Sequence, residues 1–186
     1  RGMRTQERVI PADRPDDAGP PLVRVRDLCI EFPTGDGAET LKAVDGVSFA
    51  VRAGETFGII GESGSGKTTL GRALVSLLEP TSGAIELDGV DLRTLSSRAL
   101  REYRRQFQII FQDPHAALNP RQTILASVRE PLEIVGGLAA AEIDRIALDA
   151  LARVGIAPEL ARRYPHMVSG GQKQRINIAR VLTLRP

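Results

Sequence analysis

Apolar and polar residues alternate along Leu22-Val23-Arg24-Val25-Arg26, the period-two pattern of a half-buried strand, here suited to a sheet edge. A polar loop over residues 33–40, with Pro33, Gly35 and Gly37, leads to a second strand around Val47–Val51, and Ala53-Gly54-Glu55 turns the chain. Thr56-Phe57-Gly58-Ile59-Ile60 is a short apolar run that enters glycines directly, which predicts a buried parallel strand. From Thr68 to Leu78 the apolar residues Leu70, Ala73, Leu74, Leu77 and Leu78 recur at helical spacing, and Pro80 ends that helix. Ile85-Glu86-Leu87 followed by Asp88-Gly89 predicts a strand and a hairpin turn. Residues 96–106 predict a helix, Phe107–Phe111 another buried strand, residues 122–162 mainly helix including Ala139–Val154, and Gln172–Leu182 a last helix. Residues 1–21, rich in Pro, Asp and Arg and without apolar periodicity, predict a flexible arm or linker.

Composition adds few constraints. With 42% apolar and 26% charged residues the 186-residue chain is ordinary for a soluble domain. It contains no run of eighteen apolar residues that would cross a membrane, and its N-terminal stretch is too polar for a signal peptide. A net charge of +2 is too weak a bias to argue for a nucleic-acid partner, none is expected, and Arg98, Arg101, Arg104 and Arg105 read as a solvated helix face. Cys29, the single cysteine, forms no internal disulfide, which fits a reducing compartment. Of 25 basic residues only Lys42, Lys67 and Lys173 are lysines, and Lys67 falls inside the most specific motif of the chain.

That motif is Gly61-Glu62-Ser63-Gly64-Ser65-Gly66-Lys67-Thr68, a complete G-x-x-x-x-G-K-[ST] between an apolar run and an amphipathic helix, with Thr69 in the first helical turn. Glycines let the backbone wrap tightly so that consecutive N–H groups converge on an anion, and the helix start adds its positive dipole end. Lys67 supplies a compact charge for β- and γ-phosphates, and the Thr68 hydroxyl is a ligand for Mg²⁺.

About a hundred residues later, Val168-Ser169-Gly170-Gly171-Gln172-Lys173-Gln174-Arg175 opens another helix with a Ser-Gly-Gly turn, readable as a second phosphate site or as a plain N-cap at Ser169. Together with the P-loop it resembles the ABC ATPase signature, with Val168 where most members have Leu. Ile110-Phe111-Gln112-Asp113-Pro114-His115-Ala116-Ala117-Leu118-Asn119-Pro120-Arg121, Gly61–Gly71 and Tyr164-Pro165-His166 resemble the ATP-binding subunits of dipeptide, oligopeptide and nickel importers. The resemblance covers about residues 22–186.

The resemblance implies an α/β fold: a P-loop NTPase core sheet with an antiparallel β-subdomain and a helical subdomain at about 113–175. It implies a MgATP-dependent ATPase on the cytoplasmic face of a bacterial membrane. Gln112 would serve as the Q-loop glutamine at Mg²⁺ and water, and Phe32 would stack on adenine, with an ordinary core Phe as the alternative. Ser169, Gly170, Gly171 and Gln172 would contact the γ-phosphate held by the P-loop of a second, head-to-tail ATPase subunit. Transmembrane permease subunits, and through them an extracytoplasmic solute-binding protein, would be further partners, and peptides the cargo. His115 and His166 fall inside family segments without a metal or base role. The family's Asp-Glu strand end and switch histidine do not occur within residues 176–186, so these residues are expected to bind phosphate without supplying the water-orienting Glu, and the core to lack its C-terminal part. Two other readings stand beside the importer: an ABC ATPase without a transporter, and a non-catalytic nucleotide-binding fragment.

Overall fold

In a computed structural model, residues 19–34, 39–114 and 117–186 are described. The expected arm at 1–21 falls almost wholly outside them, as do His115 and Ala116. The chain divides into two compact units, residues 1–100 and 101–186.

Among the described residues the first unit is built on an antiparallel sheet and the helix α1 (Lys67–Leu74). Its strands are β1 (Val23–Thr34), β2 (Glu39–Val51), β3 (Ser82–Leu87) and β4 (Val90–Asp91), in the order β2-β1-β3-β4. The strand expected at an edge is therefore interior: β1 is hydrogen-bonded on both sides, with Val25 opposite Phe49 on β2 and Ile85 on β3. Val25, Leu28 and Ile30 are buried, and register shifts after Val25 keep them so, with Asp27 at φ 44 marking the irregularity. Strand pairing also extends into the segment expected as a loop, with Pro33 opposite Thr40 and Thr34 opposite Glu39. The hairpin at Asp88-Gly89 forms as its sequence requires, both residues at positive φ. Helix α1 (Lys67–Leu74) stops four residues before the expected Leu78, where Val75 and then Ser76 at φ 54 leave the helical region.

The buried parallel strand expected at Thr56–Ile60 does not form. A strand exists by pairing, and this run takes part in no ladder among the described residues. Phe57 stacks on Phe49 with ring centroids 4.8 Å apart, whereas Ile60 is 91% exposed. Phe107–Phe111 likewise forms no strand, and Ile110 and Phe111 are exposed.

The second unit is helical. Helix α2 (Ser97–Tyr103) crosses into it; α3 (Ile124–Val135), α4 (Ala140–Arg153) and α5 (Gly170–Leu182) make its body. Ile124, Val128, Ala147, Leu151 and Ile176 form its core, each helix contributing from positions three or four apart. The Thr123 hydroxyl caps α3, and the free N–H groups of Ile124 and Leu125 donate to the carbonyls of Arg163 and Ala161 at 2.9 and 2.8 Å. The stretch before Ser169 is thereby tied to the start of α3.

Truncating Ile176 to Ala removes a fully buried side chain where three helices meet, and is expected to cost about 2–5 kcal/mol. Ile134→Ala, on the exposed side of α3, is expected to change stability by under about 0.5 kcal/mol. Urea unfolding followed by helical circular dichroism distinguishes the two.

Candidate functional site

The chain turns between Gly61 and Gly66 into α1, and one contact shapes that turn. Gly66 has φ 92 and ψ 0, and a Cβ built on it would stand 2.1 Å from the Ala43 carbonyl oxygen of β2. Only glycine fits, both by conformation and by space. Gly64 also sits at positive φ, 85°, and the Ser65 N–H donates to the Glu62 carbonyl at 3.2 Å. The helix that follows has no side-chain cap and no acidic residue in its first turn. Its leading N–H groups, at Lys67, Thr68 and Thr69, precede the first intrahelical donor, Leu70, which bonds the Gly66 carbonyl at 2.8 Å.

Lys67 closes the loop from within. Its ammonium donates to the Gly61 carbonyl at 2.7 Å, to the Glu62 carbonyl, and to the Ser65 hydroxyl at 3.2 Å. Ser63 and Glu62 are exposed on the outside of the turn.

A cleft of about 300 Å³ opens beside this loop, lined by Phe32, Leu41, Lys42, Ala43, Gly64, Gly66, Lys67, Thr68 and Thr69. Phe32 and Leu41 are cross-strand partners, and their half-exposed side chains give the cleft an apolar wall. The opposite wall presents the glycines, an ammonium and a bare helix start. The donor set fits a polyphosphate, and the apolar wall fits the flat face of a base. Phe32 thus stands with the P-loop and not in the core.

Leu41, Lys42 and Ala43 were not foreseen as cleft residues, because their place depends on the β1–β2 register. Lys42 is held by Asp45 at 3.2 Å and Glu31 at 3.8 Å. The hydrogen bond to Asp45, then the charges of Asp45 and Glu31, hold its ammonium above the ordinary lysine range.

The second turn belongs to the helical unit. Ser169 and Gln172 make a reciprocal capping box: the Ser169 hydroxyl accepts from the Gln172 N–H at 3.2 Å, and the Ser169 N–H donates to Gln172 Oε1 at 2.8 Å. Among the described residues a Cβ on Gly170 or Gly171 would meet nothing within 4 Å, and neither residue has positive φ. The subunit's own fold does not require glycine at either place. Gln112, in the same unit, is exposed on the bend after Phe111. Tyr164 and His166 stack at 5.8 Å just before the turn.

A P-loop cradle beside an antiparallel sheet, and a glycine-opened helix in an α-helical unit, define a nucleotide-binding cassette. Residues 44–186 match the family model described as ABC transporter, and the chain belongs to that family. It is 50% identical over 167 residues to a Brucella ovis protein named for peptide import ATP binding, covering 89% of this chain and 52% of that protein. It is 46% identical over 171 residues to the oligopeptide transport ATP-binding protein AppF of Bacillus subtilis, covering 89% and 52%. The chain spans about half the length of these curated relatives. Among solved structures it resembles the bacterial ABC transporter cassette MJ0796, reported as a dimer and, in a post-hydrolysis state, bound to ADP and Pi. For that ADP-bound form the TM-score is 0.78 at 30% identity, covering 88% of this chain and 70% of that one. The cbiO1 protein of Clostridium perfringens, part of the cbiONQ transporter complex, gives 0.73 at 30% identity, covering 89% and 62%.

The two sets of glycines are expected to respond oppositely. Gly66→Ala forces the Ala43 carbonyl away and should lower the melting temperature of the sheet unit and abolish nucleotide binding. Gly171→Ala should leave the melting temperature unchanged or slightly raised, since Ala is the better helix former by about 1 kcal/mol. Differential scanning calorimetry with a fluorescent ATP analogue reads both.

Proposed function

We propose that this chain is part of the ATP-binding subunit of an ABC importer, one that binds MgATP in the Phe32–Lys67 cleft and couples its hydrolysis to peptide uptake. The observation that carries the reading is the cleft itself, where an exposed aromatic and Gly64, Gly66, Lys67, Thr68 and Thr69 of the P-loop line one space of about 300 Å³. Adenine stacks on Phe32, with Leu41 extending the apolar wall. The phosphates lie against the N–H groups of Gly64, Gly66, Lys67, Thr68 and Thr69, with Glu62 and Ser63 on the outer turn and the α1 dipole favouring their charge. Lys67 exchanges its bonds to the Gly61 and Glu62 carbonyls for the β- and γ-phosphates. Thr68 would hold a Mg²⁺ ion, which would neutralise charge on the phosphates, and Gln112 would be the further residue offered to that ion.

Ser169, Gly170, Gly171 and Gln172 act on a nucleotide held by a second, head-to-tail subunit. The support is that glycine is dispensable for the local fold at 170 and 171. Two residues without side chains at an exposed helix start suit a surface that another molecule approaches closely. The dimeric cassette among the structural relatives is consistent with this pairing. A permease is the membrane partner and a solute-binding protein the indirect one, placing the subunit at the cytoplasmic face of a bacterial membrane. Peptide cargo follows the names of the relatives.

Four substitutions at three positions separate the parts. Lys67→Ala removes a charge-assisted bond to phosphate worth about 1.5–3 kcal/mol and should weaken ATP binding by roughly 10- to 100-fold. Lys67→Arg should not restore it, because a planar fork cannot take the place of a compact ammonium inside the turn. Phe32→Ala should lower affinity for ATP by about 1–3 kcal/mol of lost stacking while leaving affinity for inorganic triphosphate unchanged. Gly171→Asp should preserve ATP binding by the single chain and stop turnover. Equilibrium titration calorimetry and phosphate release measure all of these; ATP binding lost in Gly171→Asp would place both motifs on one site.

A further inference from the structure

Helix α5 carries Ser169–Gly171 at its start, and Arg180 stands eleven residues further on, roughly 16 Å along the axis at 1.5 Å per residue. Arg180 serves two partners at once: Nη1 donates to the Ala117 carbonyl at 3.1 Å, while Nη2 pairs with Glu130 of α3. Asn177, three residues earlier on the same face and buried, donates through Nδ2 to the Pro114 carbonyl at 3.4 Å. One face of α5 thus holds backbone carbonyls two and five residues after Gln112, and the salt bridge to α3 fixes the angle from which it does so.

We propose that Arg180, assisted by Asn177, is a positioning residue that locks the Gln112 segment to the signature helix, so that a displacement at Gln112 reaches Ser169–Gly171 as a movement of one rigid rod. The inference rests on the reading that Gln112 and Ser169–Gly171 both act on nucleotide. A guanidinium is suited to the task because its planar fork can satisfy a carbonyl and a carboxylate together, whereas a lysine ammonium reaching Glu130 abandons the carbonyl. A merely structural role would need only the ion pair between α3 and α5. The charge-reversed double variant Glu130→Arg with Arg180→Glu restores that pair and places an acceptor, not a donor, opposite the Ala117 carbonyl.

The test compares Arg180→Lys and the double reversal with the parent, all made in a full-length subunit, reading melting temperature, hydrogen exchange of residues 112–119, and KM and kcat for ATP. Both variants are expected to keep the fold, to show faster exchange confined to 112–119, and to lower kcat about tenfold with KM within twofold. Parental exchange and kcat in the double reversal would overturn the proposal and leave Arg180 as a packing contact. Faster exchange with unchanged kcat would also overturn it, since the lock would then have no part in turnover. A Lys67→Ala control keeps the two readings apart: full turnover there would refute the ATPase assignment, while the exchange data still report on the Arg180 contacts.

Discussion

The backbone at Gly66 lies so close to the Ala43 carbonyl that no side chain can stand between them, and the rest of the cleft follows from that approach. Strand β2 must run beside β1 to bring Ala43 there, and the same pairing sets Leu41 opposite Phe32 on the cleft wall. The tight passage throws Gly66 to positive φ, which starts α1 without a side-chain cap and leaves its first N–H groups available. The Lys67 ammonium then folds under the loop onto its carbonyls and closes the turn that it will serve. Apolar wall, anion nest and cation are thus consequences of one steric constraint.

The helical unit uses glycine differently. Its helix start carries a reciprocal capping box of Ser169 and Gln172, and among the described residues nothing in the local structure requires glycine at 170 or 171. What these residues provide is an uncluttered helix terminus, supported from behind. Segment 161–163 is pinned to the start of α3, and Arg175 donates to the carbonyls of Val154 and Gly155 at the end of α4. An exposed turn held this firmly is suited to pressing on a partner without yielding.

Legibility in the sequence followed the range of the interaction. The glycine turn into α1, the hairpin at Asp88-Gly89 and the helices of residues 124–153 are set by neighbours a few residues apart and form where the sequence predicts them, while α5 begins at Gly170, two residues before the expected Gln172. The α1 helix read too long because apolar spacing continues through Leu77 and Leu78 while the backbone has already left the helix at Val75. Leu22–Arg26 read as an edge because alternation reports one buried face and says nothing of how many neighbours a strand has. Thr56–Ile60 and Phe107–Phe111 carry the composition of core strands, but pairing is a property of two segments, and neither is paired among the described residues. Phe32 and Lys42 illustrate the same limit at the site: the first was placed by resemblance, the second passed over, and the β1–β2 register puts both in the cleft.

The central claim is that the Gly61–Thr69 turn and Phe32 together form one nucleotide site. The most direct measurement is a nuclear magnetic resonance titration of the chain with ATP, following backbone amides and aromatic ring protons residue by residue. The account predicts that the amides of Gly64, Gly66, Lys67 and Thr68 shift together with the Phe32 ring in a single saturable process, while the amides of Gly170 and Gly171 stay in place. Amides at Gly64 to Thr68 that do not respond while those of α5 do, or a Phe32 ring untouched at saturation, would contradict it.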